Sequence, residues 1–246
     1  MSSRNSSGLA VSLLLFLLLG AAGYAALFVA PDERTMHEIQ RIFYFHMPSF
    51  INCFIAFAIC AFANVAYLVK RAPQWDWLAV ASAEVGVAFC TVGLITGPIW
   101  AHPVWGIWWT WDARLTSTFV LWVLYVALLL LRTVTSEPQK RATFTAIFGI
   151  FACLDVPFVY FSIRLFRTQH PQPVLLGGAG SGLDPTMKHV LLLCWAALLL
   201  LLVLLIRQRY RLEALRYELD ERMFEFENRS AENESDAFRS QRRITP

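Results

Sequence analysis

The sequence predicts an all-α integral membrane protein with six transmembrane helices, both termini cytoplasmic and a tryptophan-rich loop on the periplasmic side. Three observations carry that reading. Of 246 residues, 57% are hydrophobic and only 16% are charged, where soluble domains run near half and about a quarter. The apolar residues are gathered into blocks close to the roughly 20 residues that a helix needs to cross a bilayer. The cations are also distributed unevenly between alternate loops, and the more basic side stays in the cytoplasm.

The six spans fall at about 9–31, 43–69, 78–98, 115–132, 142–163 and 188–206. The first, "LAVSLLLFLLLGAAGYAALFVA", exceeds the roughly 7–15 apolar residues of a signal peptide and lacks a small-x-small cleavage site, so it reads as a retained anchor. Arg4, Lys70, Arg71, Arg132, Lys140, Arg141, Arg207, Arg209 and Arg211 share one side. Arg34, Arg41, Arg114, Arg164 and Arg167 share the other, where Asp32, Glu33 and Glu38 offset the first of them. The linkers "KRAPQWDW" and "RTVTSEPQKR" on the basic side are short and polar. Cys53, Cys60, Cys90, Cys153 and Cys194 all fall inside spans without a CxxC pair, which marks them as small buried side chains.

Two segments on the opposite side are unusual. Residues 164–187 read "RLFRTQHPQPVLLGGAGSGLDPTM". The glycines are no phosphate loop, because Leu183 and Asp184 stand where lysine and serine or threonine are required. Asp184 followed by Pro185 instead marks the N-cap and first residue of the sixth span. The second segment, 99–114, holds "VWGIWWTWDAR". Beyond Ile206, Leu212, Leu215, Leu219, Met223 and Phe226 recur at helical spacing among mixed charges, an amphipathic pattern. The composition from about Ser230 is that of a disordered tail. Residues 1–206 therefore form the membrane domain, and 207–246 a charged cytoplasmic helix with its tail.

Five histidines are present. His37 sits in a polar loop, His189 opens the sixth span and His102 belongs to the tryptophan segment. His46, in "RIFYFHMPSF", lies one turn into span two; His170, in "RTQHPQP", lies just past span five. Both are expected at the membrane depth of the tryptophan loop. Two distant histidines do not make a zinc site, which takes three or four ligands. Haem iron takes two axial ligands on opposite faces of a flat macrocycle, and imidazole serves well. Trp105, Trp108, Trp109 and Trp111 suit the porphyrin walls. Arg114, Arg164 and Arg167 suit its propionates, because a guanidinium fork pairs with carboxylate. Tryptophan is enriched at membrane interfaces in general, but such belts spread singly over helix ends. Two carboxylates remain within the spans, Glu84 and Asp155; hydrogen-bonded helix contacts are the expectation for both, ahead of a coupling role.

"WGIWWTWDARLTS" resembles the WWD signature of haem-handling proteins of cytochrome c maturation. With "RIFYFHMP", "RTQHPQ" and "GLDPTMK" in matching order, the chain resembles the haem exporter protein C family, CcmC, from about Arg34 to Ile206. The resemblance implies haem b held by His46 and His170 as iron ligands, with Trp105, Trp108, Trp109, Trp111 and Asp112 at the WWD positions. It also implies a bacterial inner membrane location. The implied partners are the haem chaperone CcmE, the ABC transporter components CcmA and CcmB, and the small helper CcmD. Binding and transfer are implied rather than turnover of a small substrate.

Two other functions compete. A permease subunit of an ABC-type exporter would need polar residues strung through successive spans, and these are lacking. A membrane b-type electron-transfer cytochrome would need stacked histidine pairs to cross the bilayer, and only one external pair is present.

Overall fold

A computed structural model describes the backbone of residues 2–166, 170 and 182–244, with side chains from 8 to 230 among them. Helix α1 (Ser2–Tyr24) continues through wider π turns over Ala25–Val29. A connection and a 3-10 turn, Glu38–Ile42, lead into α2 (Phe43–Lys70), followed by α3 (Pro73–Trp105) and α4 (Ala113–Val134). Helices α5 (Pro138–Cys153) and α6 (Asp155–Leu165) together make the fifth crossing, and α7 (Pro185–Ile244) the sixth. Six helical stretches among the described residues are long and apolar enough to span a membrane, as the sequence predicts. Their alternation defines two ends of the bundle. His46, the α3–α4 turn, His170 and Asp184 lie at the site end; Lys70, Arg132 and the departing part of α7 lie at the tail end.

The centre is built on small residues at three- and four-residue spacing. Ala79, Ala83, Gly86 and Cys90 of α3 form one seam, and Cys53, Ala56, Cys60 and Ala63 of α2 form the facing one. Small side chains let membrane helices approach closely, which matters where lipid offers no hydrophobic driving force between helices. At Gly86 a Cβ would fall 2.4 Å from the ring of Phe57, and Phe57 in turn stacks on Tyr125 of α4 at 3.5 Å. Cys53, Cys60, Cys90 and Cys194 are buried and Cys153 partly so, all as free thiols.

The tail end is closed by ion pairs. Arg132 donates twice to Asp76, at 2.6 and 2.9 Å, and once to Thr145. Arg209 of α7 pairs with Glu84 of α3 and with Glu213. Trp77 meets Tyr210 and Tyr217 nearby. Glu84 is therefore a helix contact, as expected. Asp155 departs from expectation: it opens α6 beside the break at Leu154, and its Oδ2 finds no hydrogen-bond partner among the described residues.

Two boundaries differ from the sequence reading. Helix α3 continues past 98 to Trp105, so the loop expected over 99–114 narrows to 106–112. Pro98 and Pro103 lie inside the helix; prolines are tolerated in membrane helices because neighbouring groups take up the freed carbonyls. The helix stops at Gly106, whose φ of 71° is the left-handed C-terminal turn that glycine adopts without strain. The second difference is α7, which runs unbroken to Ile244 past the tail expected from Ser230. Nearer the membrane span, charges of opposite sign three and four residues apart support the helix, with Arg216–Glu213 at 2.9 Å and Arg209–Glu213 at 3.2 Å.

Candidate functional site

At the site end the helices surround a cleft lined mainly by aromatic and apolar side chains with a few polar groups among them, the usual make-up of small-molecule and cofactor pockets. His46 enters from α2, Trp105 from the end of α3, Trp108 and Trp109 from the turn, Arg114 from the start of α4, and His170 from beyond α6. Six of the residues singled out in the sequence thus share one cavity, although the two histidines belong to opposite ends of the membrane domain's sequence.

Each is placed by local chemistry. Asp112 caps α4: its Oδ1 accepts from the amides of Arg114 and Leu115 at 2.9 and 3.0 Å, and its Oδ2 accepts from the Thr110 hydroxyl at 2.9 Å. This satisfies amides that the first helical turn leaves open. It also fixes where Arg114 begins. The Arg114 guanidinium donates to the Val159 carbonyl of α6 at 3.1 Å, bridging α4 and α6 across the floor of the cleft. Trp108 stacks on the exposed His102 ring at 4.2 Å and 19°, so His102 supports an indole instead of lining the cavity. His46 is buried, with Phe50 and Trp100 edge-on at 5.0 and 5.7 Å.

Trp111 and Arg164 stand elsewhere. Trp111 is 74% exposed and turns to a second, apolar groove between α3 and α4, beside Phe119 and Trp122. Its divergence follows from the turn geometry: four closely spaced indoles at a tight connection cannot all face one side, and of the four only Trp109 lines both cavities. Arg164 is exposed with its guanidinium over Tyr160, 5.7 Å from the ring centre, and does not line the cleft. Arg167 lies outside the described residues. The sequence reading missed Phe50, Phe54, Trp100, Thr110 and Thr118, which complete the walls. Trp100 has a signal, its nearness to the tryptophan run; the phenylalanines are indistinguishable from lipid-facing residues of a span.

The electrostatics follow from the lining. Among the described residues one guanidinium and two imidazoles meet aromatic rings, and no carboxylate lines the cavity. Among the described residues no three His, Cys, Asp or Glu side chains gather as a bare metal ion would require. Outside the spans, Glu33 accepts from the Thr35 hydroxyl and the amides of Thr35 and Met36, and these bonds, that of the Thr35 hydroxyl foremost, hold its carboxyl below the usual range. That device orders the α1–α2 connection at the same end. The donor set suits a flat, anionic, metal-bearing ligand: two nitrogen donors, aromatic faces and a cation.

Fold and site define a class, that of multi-span helical membrane proteins with a histidine- and tryptophan-lined cleft at one end of the bundle. Comparison with known proteins is specific. Residues 3–225 match the family described as heme exporter protein C. Relatives include heme exporter protein C of Bradyrhizobium diazoefficiens, 32% identical over 76% of this chain and 72% of that protein. Heme exporter protein C of Haemophilus influenzae is 32% identical over 82% of both chains. Heme exporter protein C of Escherichia coli K12 is 31% identical over 66% of this chain and 65% of that protein. The chain belongs to the heme exporter protein C family.

Proposed function

We propose that the protein holds haem b in this cleft at the periplasmic face of the bacterial inner membrane and delivers it to the chaperone CcmE during c-type cytochrome biogenesis. The observation that carries this reading is the single cavity shared by His46, His170, Trp105, Trp108, Trp109 and Arg114. The residues fit the cargo. His46 and His170 would hold the iron, the indoles would cover the macrocycle and exclude water, and Arg114 would pair with a propionate. Family membership supports work beside the ABC transporter components CcmA and CcmB and the helper CcmD.

In this reading the chain supplies position rather than covalent chemistry. Haem would supply the vinyl group to which the acceptor's own histidine bonds. The protein's part is to present that edge from a cleft that opens at the end of the bundle. Arg114, anchored on Val159, would hold a propionate. Asp112 acts through the helix cap that aims Arg114 and does not itself line the cleft.

The test is spectroscopic. Purified wild-type protein shows a Soret band, and His46→Ala and His170→Ala each weaken or shift it, with addition of imidazole restoring part of the signal. Unchanged spectra in both variants refute the ligand assignment.

A further inference from the structure

We infer that Thr96 is a positioning residue that fixes the tautomer of His46, leaving Nε2 as its basic nitrogen. The His46 Nδ1 lies 2.9 Å from the Thr96 hydroxyl oxygen. A threonine hydroxyl carries one proton and two lone pairs, so the direction of this bond depends on where that proton is spent. The same oxygen lies 2.8 Å from the carbonyl oxygen of Val92 and 3.3 Å from that of Gly93. A carbonyl only accepts, and two oxygens at 2.8 Å need a proton between them. The Thr96 proton is therefore committed to its own helix. What it presents to His46 is a lone pair, and the imidazole must donate from Nδ1. A neutral imidazole has one N–H, so the second nitrogen, Nε2, keeps its lone pair.

Neighbouring side chains hold the ring in that orientation. His46 is 7% exposed, with Phe50 and Trp100 edge-on against it. Gly97, one residue past Thr96, faces the ring: a Cβ there would lie in contact with it, 3.4 Å from the His46 Cε1. Phe50 in turn sits where a Cβ on Gly93 would fall 2.5 Å from its ring. Thr96, Gly93 and Gly97 thus form a socket on α3 for one side chain of α2. A ligating histidine needs this arrangement, because an acceptor on the far N–H fixes the tautomer and raises the basicity of the donor nitrogen. The functional sense of the inference rests on the reading of His46 as an iron ligand; the tautomer itself does not.

The experiment uses full-length protein in detergent with ¹⁵N-labelled histidine, compared with Thr96→Val, Thr96→Ser and His46→Ala. Without haem, the His46 ring of the wild type and Thr96→Ser shows a protonated Nδ1 and an unprotonated Nε2. In Thr96→Val, which keeps the side-chain shape and removes the acceptor, the proton redistributes toward Nε2. Titration with haem then shows a loss of affinity of about 10- to 100-fold in Thr96→Val, the usual effect of removing such a partner, a displaced Soret maximum, and recovery in Thr96→Ser. An unchanged His46 tautomer in Thr96→Val overturns the inference, whatever haem does. A changed tautomer with unaltered haem affinity and spectrum in both Thr96→Val and His46→Ala instead overturns the ligand assignment of His46, and the positioning role with it.

Discussion

The tail end of the bundle and the cleft at its other end carry similar chemical groups and use them in opposite ways. At the tail end the arginines are matched by acids: Arg132 forms a fork on Asp76, and Arg209 is shared between Glu84 and Glu213. Those charges are spent on one another. At the site end Arg114 is steadied by a main-chain carbonyl, and its neighbours in the cleft are indoles and imidazoles. A charge costs free energy where water is scarce unless something answers it. The tail end answers internally, and so reads as structure. The site end gathers donors and a cation around open space, and so reads as a place where a ligand completes the arrangement.

The largest effect that tests this contrast belongs to the closed end. Arg132 and Asp76 have side chains only 10% and 12% exposed. Removing one partner of such a buried pair costs about 3–5 kcal/mol, because it strands the other charge. Asp76→Ala is therefore expected to lower the unfolding temperature of the detergent-solubilised protein strongly, while any folded fraction retains haem with wild-type affinity. A stable Asp76→Ala protein that has lost haem would place the tail end in the functional machinery and remove the contrast.

The next effect is smaller and concerns the tryptophans. Trp108 lines the cleft and stacks on His102, whereas Trp111 turns to the other groove. Trp108→Ala is expected to reduce haem retention several-fold with little loss of stability. Trp111→Ala should leave retention near wild type. Equal losses in the two variants, measured by haem-to-protein ratio after purification, would mean that the two indoles act on one ligand.

Much of this arrangement is legible in the sequence, for reasons that differ by residue. Span positions follow from apolar blocks, which the bilayer enforces on any sequence. His46, His170 and the indoles stand out because polar or bulky amphipathic groups are uncommon near lipid. Asp112 and Asp184 are legible as caps from their place before helical runs, and both make those bonds. What escaped is relational. Thr96 meets His46 across 50 residues of sequence, and nothing near either residue announces the other. Trp111 shares the composition of its neighbours but not their direction, which only the short turn from Gly106 to Asp112 decides. The end of α3 escaped because Pro98 and Pro103 read as stops in water, where the freed carbonyls have no packed helix to compensate for the lost bond.

Asp112 offers the finest division between structure and site. Its carboxylate bonds two amides of α4 and the Thr110 hydroxyl, and it has no place among the cleft walls. Replacing a capping side chain by alanine costs typically about 1 kcal/mol, and asparagine caps as well as aspartate. Asp112→Ala is accordingly expected to shift the unfolding temperature down by a few degrees and to loosen haem in proportion, because Arg114 and Trp109 hang on the same turn. Asp112→Asn should keep both stability and haem. If Asp112→Asn stays as stable as wild type yet releases haem, the negative charge itself acts on the cargo or on the Arg114 guanidinium. The site end would then be balanced by charge as the tail end is, with the cleft as the gap between the two partners.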